Sequence, residues 1–284
     1  MTRDMAGRGV GLGLRPVHYG HVLERRPAVS WFEAISENYM GLRGGQGGGR
    51  PLEHLEAVRG LYPVALHGVS LNLGSADPLD TAYLKKLKAL IARVEPCAVS
   101  DHLCWTGVDR RNVHDLLPLP YDERTAAHVA ARVRAVQDFL GRKILVENVS
   151  SYVTYRRSAM PEWEFLASVA RRAGCGILLD VNNIHVSAAN HGFSGLDYLE
   201  GVPASLVEEM HLAGYSQGEG LLIDTHDHPV SPAVWRLYRA AVGRFGPVPT
   251  LIEWDDKIPS FSRLQLEARR AEEARADALR PVLA

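Results

Sequence analysis

Eight short apolar runs, rich in β-branched and aliphatic residues, recur along the chain. They lie at Val10–Leu14, Trp31–Ser36, Val64–Leu73, Ala98–Trp105, Lys143–Val149, Gly176–Asn183, Glu209–Tyr215 and Pro249–Trp254. Longer stretches with helical spacing separate them, at Pro51–Tyr62, Pro78–Glu95, Asp122–Leu140, Pro161–Ala173 and Ser231–Phe245. Strands alternating with helices imply a parallel sheet, because a parallel return needs a crossover and a helix is the usual one. Eight such units in 284 residues, near the ~250 typical of a (β/α)8 barrel, predict one closed TIM barrel of the α/β class. A doubly wound open sheet is the second architecture. No linker divides the chain, so 1–284 is read as a single domain, with a barrel core at about 9–258 and a helical tail at 260–284. Punctuation agrees with the division. Asp80 and Asp122 suit N-caps, Pro51, Pro161 and Pro232 suit first turns, and Gly141, Gly174 and Gly246 suit helix stops.

Composition excludes several classes. With 32 Lys+Arg against 33 Asp+Glu, no basic excess exists to neutralise a phosphate track, which argues against nucleic-acid binding. Three widely spaced cysteines make neither a disulfide framework nor a CxxC knot. The N-terminus lacks an apolar signal segment, and no run approaches a spanning helix. The chain is therefore expected to be cytoplasmic and away from membranes. The glycine run Gly41–Gly49 reads as a loop after the second strand, without the Lys-Ser/Thr that would complete a phosphate cradle. Phe261–Ala284 reads as a charged outer helix.

Chemistry-bearing residues concentrate where the strands stop. The third run holds His67, the fourth Asp101 and His102, the fifth Glu147 and Asn148, and the sixth Asp180, Asn182, Asn183 and His185. The seventh holds His211, with Asp224, His226 and His228 beyond it, and the eighth ends at Glu253. Barrel enzymes build their sites at the carboxyl ends of several strands. Any one of these residues alone would be an ordinary turn former. Six strands converging on one rim with unpaired carboxylates and imidazoles would be costly unless a cation joined them. Four imidazoles (His67, His102, His211, His226) and four carboxylates (Glu147, Asp180, Asp224, Glu253), without thiolate, suit iron, manganese or zinc. Eight donors are too many for one ion. Two or three bridged ions fit better, with Glu147 as the central bridge. Cys104 reads as a packed thiol and His54 and His128 as solvated helix positions; His18 and His21, after the first strand, could reach the site mouth but are read as non-ligating. His185 and His228 could be ligands or their supports.

At these residues the sequence resembles a known family. The blocks HGVSLN, SDHLCW, LVENVSSY, LLDVNNIHV, HLAGY, IDTHDHPV and EWD, together with GVGLGLRPVHY and SWFEAISENYM, look like those of the multinuclear non-haem iron-dependent oxidative enzymes, of the xylose-isomerase-like barrel superfamily. The likeness runs from about Gly9 to Ile258. It implies a TIM barrel holding two or three iron ions of mixed Fe2+/Fe3+ state, using O2 to modify cysteine in a ribosomally synthesised precursor peptide. It further implies that His67, His102 and Glu147 hold one iron. Asp180, His211 and Glu253 hold a second with Glu147 bridging, while Asn183, Asp224 and His226 surround a third, weaker position. Asp101, Asn148 and Asn182 are expected to orient the ligands. Relatives of this kind often need a partner protein that presents the precursor's leader, and a partner is expected here.

Two other readings remain at this level. Glu147, Asp180, His211 and Glu253 also match the four-ligand plan of divalent-metal sugar isomerases and epimerases. A non-catalytic metal- or peptide-binding protein on the same scaffold is the other. A three-zinc phosphodiesterase is disfavoured, since Asn183 stands where endonuclease IV has histidine.

Overall fold

The structure, a computed structural model, describes Met5 and residues 7–41, 49–109 and 111–280. Residues 42–48 of the glycine run and 281–284 of the tail lie outside the described residues. Eight parallel strands close into a barrel: β1 (Val10–Gly13), β2 (Phe32–Ile35), β3 (Val64–Gly68), β4 (Val99–His102), β5 (Leu145–Glu147), β6 (Gly176–Asp180), β7 (Val207–Leu212) and β8 (Thr250–Ile252). Each pairs with its neighbours in sequence. The ring is sealed where β1 meets β8, Val10 opposite Thr250 and Leu12 opposite Ile252, which removes the open-sheet alternative.

The helices are α1 (Tyr19–Arg25), α2 (Gly49–Leu61), α3 (Thr81–Val94), α4 (Glu123–Leu140), α5 (Glu162–Ala173), α6 (Val181–His191), α7 (Gly195–Gly201), α8 (Pro232–Phe245) and α9 (Phe261–Ala278). Local chemistry sets their ends. The Asp80 carboxylate accepts the Ala82 and Tyr83 N–H groups, and that of Asp122 accepts the Thr125 N–H. Each such cap satisfies donors that the first turn leaves free. α4 and α5 stop before Gly141 and Gly174, both left-handed at φ 72° and 66°, a conformation that glycine adopts without penalty.

Three runs depart from their sequence reading. The sixth stops being a strand at Asp180, whose Oδ1 accepts the Asn183 N–H at 2.6 Å and starts α6 with no intervening loop. Asn182, Asn183 and His185 therefore lie on a helix. The third run leaves the sheet at Gly68. In the fourth, Trp105 belongs to an antiparallel hairpin, Trp105–Val108 with Arg111–Leu117, standing beyond the barrel's carboxyl end.

Two apolar layers hold the wall. Outside, α3 turns Leu84, Leu87, Leu90 and Val94 inward, and α9 does the same with Phe261, Leu264, Ala271 and Ala274. α9 packs on α8, β1 and β8, and Arg263 and Arg270 pair with its fully buried Glu267. The C-terminal helix is thus part of the barrel wall on one face and charged on the other. Inside, Trp31, Ala65, Leu145, Leu178 and Leu251 plug the amino end. Gly11 makes that plug fit, since a Cβ there would stand 2.4 Å from the Trp31 indole. Gly11→Ala is expected to cost about 1–3 kcal/mol through overpacking, read by urea denaturation. Trp31→Phe in the same chain should recover part of the loss; strictly additive losses would refute the contact.

Candidate metal centre

Side chains two residues apart on a strand face the same side. Ala65, Leu145, Leu178 and Leu251 fill the barrel's lower interior, so the next inward positions are His67, Glu147, Asp180 and Glu253. Strand register does the rest. His102 lies opposite Glu147 across β4 and β5, and Asp180 opposite His211 across β6 and β7. A register shift at Ile177/Leu178, where β7 gains a residue on β6, sets which β7 side chains enter the barrel. A cavity of about 290 Å³ opens over this layer. Its walls include His67, His102, Asn183, Asp224, His226 and Glu253, with Ile35, Val69, Leu116 and Val149 as apolar lining.

Glu147 is the hub. Its Oε2 lies 3.3 Å from His67 Nε2 and 3.4 Å from His102 Nε2, while Oε1 lies 3.8 Å from His211 Nδ1. The two oxygens thus serve different imidazole groups. Among the described residues, four sets of three donors are close enough to share an ion: His67–His102–Glu147, Glu147–Asp180–His211, Asp180–His226–Glu253 and Glu33–Glu209–His211. Glu147 joins the first two sets and Asp180 the second and third. Glu253 Oε2 stands 3.1 Å from His211 Nδ1 and 3.5 Å from His226 Nδ1, and Asp224 Oδ1 2.6 Å from His226 Nε2.

Neighbours aim these groups. Ser100 Oγ meets His67 Nδ1 at 2.8 Å and the Gly68 carbonyl meets His102 Nδ1 at 3.1 Å, which leaves both Nε2 atoms for Glu147 and its surroundings. Asp180 divides its oxygens: Oδ1 caps α6, while Oδ2 is buried without a partner. Asn148 ties β5 to β6, accepting the Asp180 N–H and donating to its carbonyl. Asn182 donates to Asp224, and Asn183 donates to the Asn148 carbonyl while its Oδ1 stays unpartnered. Asp101 braces backbone, accepting the Leu71 and His102 N–H groups. The orientation of the two imidazoles falls to Ser100 and Gly68. His185 pairs with Tyr215, and the half-exposed His228 with Asp227, so neither joins a donor set.

The electrostatics are those of a site short of positive charge. Burial pushes the His102 imidazole down to about 4 and that of His67 well below its usual range, so both are neutral, ligand-competent bases. Burial raises Glu147 well above the carboxylate range against the pull of His211, and raises Asp180 to about 7. For His211 and His226 burial is outweighed: carboxylates, chiefly Glu33 for the first and Asp224 for the second, hold them well above the ordinary value. Glu147 Oε2, Asp180 Oδ2 and Asn183 Oδ1 are buried acceptors without a donor. Such atoms are costly unless a cation takes them. The donor set thus fits metal ions.

Five participants escaped the sequence reading. Glu33 and Glu209 lie beside His211, and Ser100 beside His67. Arg15 pairs with Asp255, whose other oxygen accepts from His226 Nδ1 at 2.8 Å. Glu33 and Glu209 were detectable as acids inside apolar strands. Nothing in the sequence joins Arg15 to Asp255, 240 positions away.

The comparisons agree with this architecture. The family model for the RiPP precursor modification enzyme MbnB/TglH/ChrH matches residues 9–276. A UPF0276 protein of Acaryochloris marina is 53% identical over 96% of this chain and 96% of its own length, and one of Anaeromyxobacter sp. (strain Fw109-5) is 55% identical over 98% and 96%. Among solved structures, endonuclease IV from Thermus thermophilus superposes with a TM-score of 0.61 at 19% identity, covering 95% of this chain and 99% of that one. A xylose isomerase-like TIM barrel protein from Mycobacterium smegmatis, solved in complex with magnesium, gives 0.58 at 11%, covering 99% and 100%. At such identities these structures share the fold alone. Among the described residues no helix is long and apolar enough to cross a membrane. Matched over nearly its whole length, and bearing the clustered donors just described, the chain belongs to the MbnB/TglH/ChrH family of enzymes that modify ribosomally made precursor peptides.

Proposed function

We propose that this protein is an iron- and O2-dependent enzyme that oxidatively modifies a cysteine of a precursor peptide, with a second protein presenting the peptide's leader. The observation that carries the reading is Glu147, whose two oxygens face separate imidazole groups at the centre of the barrel mouth. His67, His102 and Glu147 would hold one ion, and Asp180, His211 and Glu253 a second, with Glu147 shared. His226 and Asp224, with Asn183 Oδ1, offer a third position. When bound, iron supplies the Lewis acidity and the redox change that thiol oxidation by dioxygen requires.

The protein's own groups shape that chemistry. Ser100 and the Gly68 carbonyl present Nε2 of both upper imidazoles, and the α6 cap leaves Asp180 one free oxygen. Arg15 and Asp255 hold His226 at the rim. Ile35, Val69, Leu116 and Val149 narrow the cavity with apolar surface, so that a peptide thiol entering it displaces water. No side chain is assigned as general base. A one-ion sugar isomerase would use Glu147, Asp180, His211 and Glu253 but leave His67 and His102 facing Glu147 without a task.

Three outcomes follow. Glu147→Gln should lower iron content at both main positions, measured as metal per protein; full stoichiometry would refute the bridge. Metal binding should also weaken in acid. To ligate, Asp180, raised to about 7, and Glu147, His211 and His226, raised above their ordinary ranges, must each lose a proton, so affinity should fall as pH drops through 7, by about tenfold per unit for each proton displaced. His102, neutral down to about 4, adds nothing in that window. Cobalt affinities between about pH 5.5 and 8.5 give the slope, and a flat profile would contradict it. Finally, co-expression with a candidate Cys-containing precursor peptide and a leader-binding protein should change the peptide's mass only in air. An unchanged peptide beside metal-replete enzyme would remove the oxidative reading, and so would a mass change that needs no oxygen.

A further inference from the structure

His211 has two faces. Its Nδ1 looks toward Glu253 Oε2 (3.1 Å) and Glu147 Oε1 (3.8 Å), the donors of the proposed centre. Its Nε2 looks the other way, 3.4 Å from Glu33 Oε1 and 3.7 Å from Glu209 Oε1. These two glutamates stand one inward step below the ligand layer, Glu33 on β2 and Glu209 two residues before His211 on β7. Glu33 is 3% exposed and Glu209 is fully buried. Glu33 Oε2, both Glu209 oxygens and His211 Nε2 have no hydrogen-bond partner otherwise. No function of the site described so far uses either glutamate.

We propose that Glu33 and Glu209 are positioning residues that keep the hydrogen of His211 on Nε2 and thereby present the Nδ1 lone pair to the metal centre. The physical reason is the cost of the alternative. A ring with its hydrogen on Nδ1 would aim a lone pair at two buried carboxylates, and would leave them without any donor in a layer closed to water. With the hydrogen on Nε2 the carboxylates gain a donor, and the ring is held in plane for ligation, the usual division of labour in a histidine bound to metal. The β6–β7 register shift serves this arrangement by turning both Glu209 and His211 inward. The inference rests on His211 being a metal ligand.

The test uses Co2+ as probe, added to full-length metal-free protein in competition with a chelator, with visible absorption recorded alongside. Glu33→Met with Glu209→Met keeps the volume and removes both acceptors. It should weaken Co2+ binding about 10–100-fold and shift the absorption bands. Glu33→Gln with Glu209→Gln restores an acceptor oxygen and should return affinity and spectrum toward wild type. A double-Met protein with wild-type affinity and bands would overturn the proposal. So would the loss of one whole equivalent of metal with unchanged bands, since the glutamates would then form an ion site of their own. Should the double variant not fold, Glu33→Met alone is read in the same way. His211→Ala separates the levels: wild-type Co2+ binding in that variant would sink the ligand reading itself, whereas weakened binding there with none in the Met variants would sink only the role of the glutamates.

Discussion

The structure depends on one carboxylate held where carboxylates are least welcome. Glu147 is 1% exposed, at the centre of a closed barrel, with imidazoles on both sides. Around it Asp180, Glu33 and Glu209 are also buried, and burial raises both Glu33 and Asp180 to about 7. A barrel designed for stability alone would fill this layer with aliphatic side chains, as Ala65, Leu145, Leu178 and Leu251 fill the part of the step below that Glu33 and Glu209 leave. Replacing such a charge cluster with apolar residues commonly stabilises a protein. The upper layer is therefore where the fold gives up stability, and a bound cation is the simplest return for that loss.

Several elements act on this layer from outside it. α6 begins directly at Asp180, so the residue that starts the helix also keeps one oxygen for the site. His226 is held at φ 47°, a left-handed conformation uncommon for a residue with a side chain. Its N–H donates to the Gly214 carbonyl, its carbonyl accepts the Asp255 N–H, and the Asp255 carboxylate holds its ring. The Arg15 guanidinium that pairs with Asp255 packs over Gly13, where a Cβ would stand 3.0 Å from it. Rim and wall are thus one hydrogen-bonded unit, as a site that must keep its ligand geometry requires.

Much of this was legible in the chain. Strand runs separated by capped helices implied a barrel. The donors at their ends, His67, His102, Glu147, Asp180, His211 and Glu253, are the ones that the barrel draws together, because a parallel barrel sends every strand's carboxyl end to the same mouth. Asn182, Asn183 and His185 were misread as strand, since an apolar run does not distinguish a strand from a buried helix start, and the Asp180 cap decided it. Asp101 was expected to orient a ligand ring. Neighbours on a strand point to opposite faces: the Asp101 carboxylate takes backbone N–H groups, while the His102 ring meets the Gly68 carbonyl and the His67 ring meets Ser100 across the β3–β4 pair.

The sequence by itself determined the alternation of elements, the caps and stops, and the supply of nitrogen and oxygen donors at strand ends. These are local properties, written in spacing and residue type. Only the tertiary structure decided that Glu147 parts its oxygens between imidazoles, that Glu33 and Glu209 back His211, and that Arg15 reaches across to Asp255. Those facts depend on strand register, on the shift between β6 and β7 and on ring closure. Each is a relation between distant segments, set by packing, that no local pattern encodes.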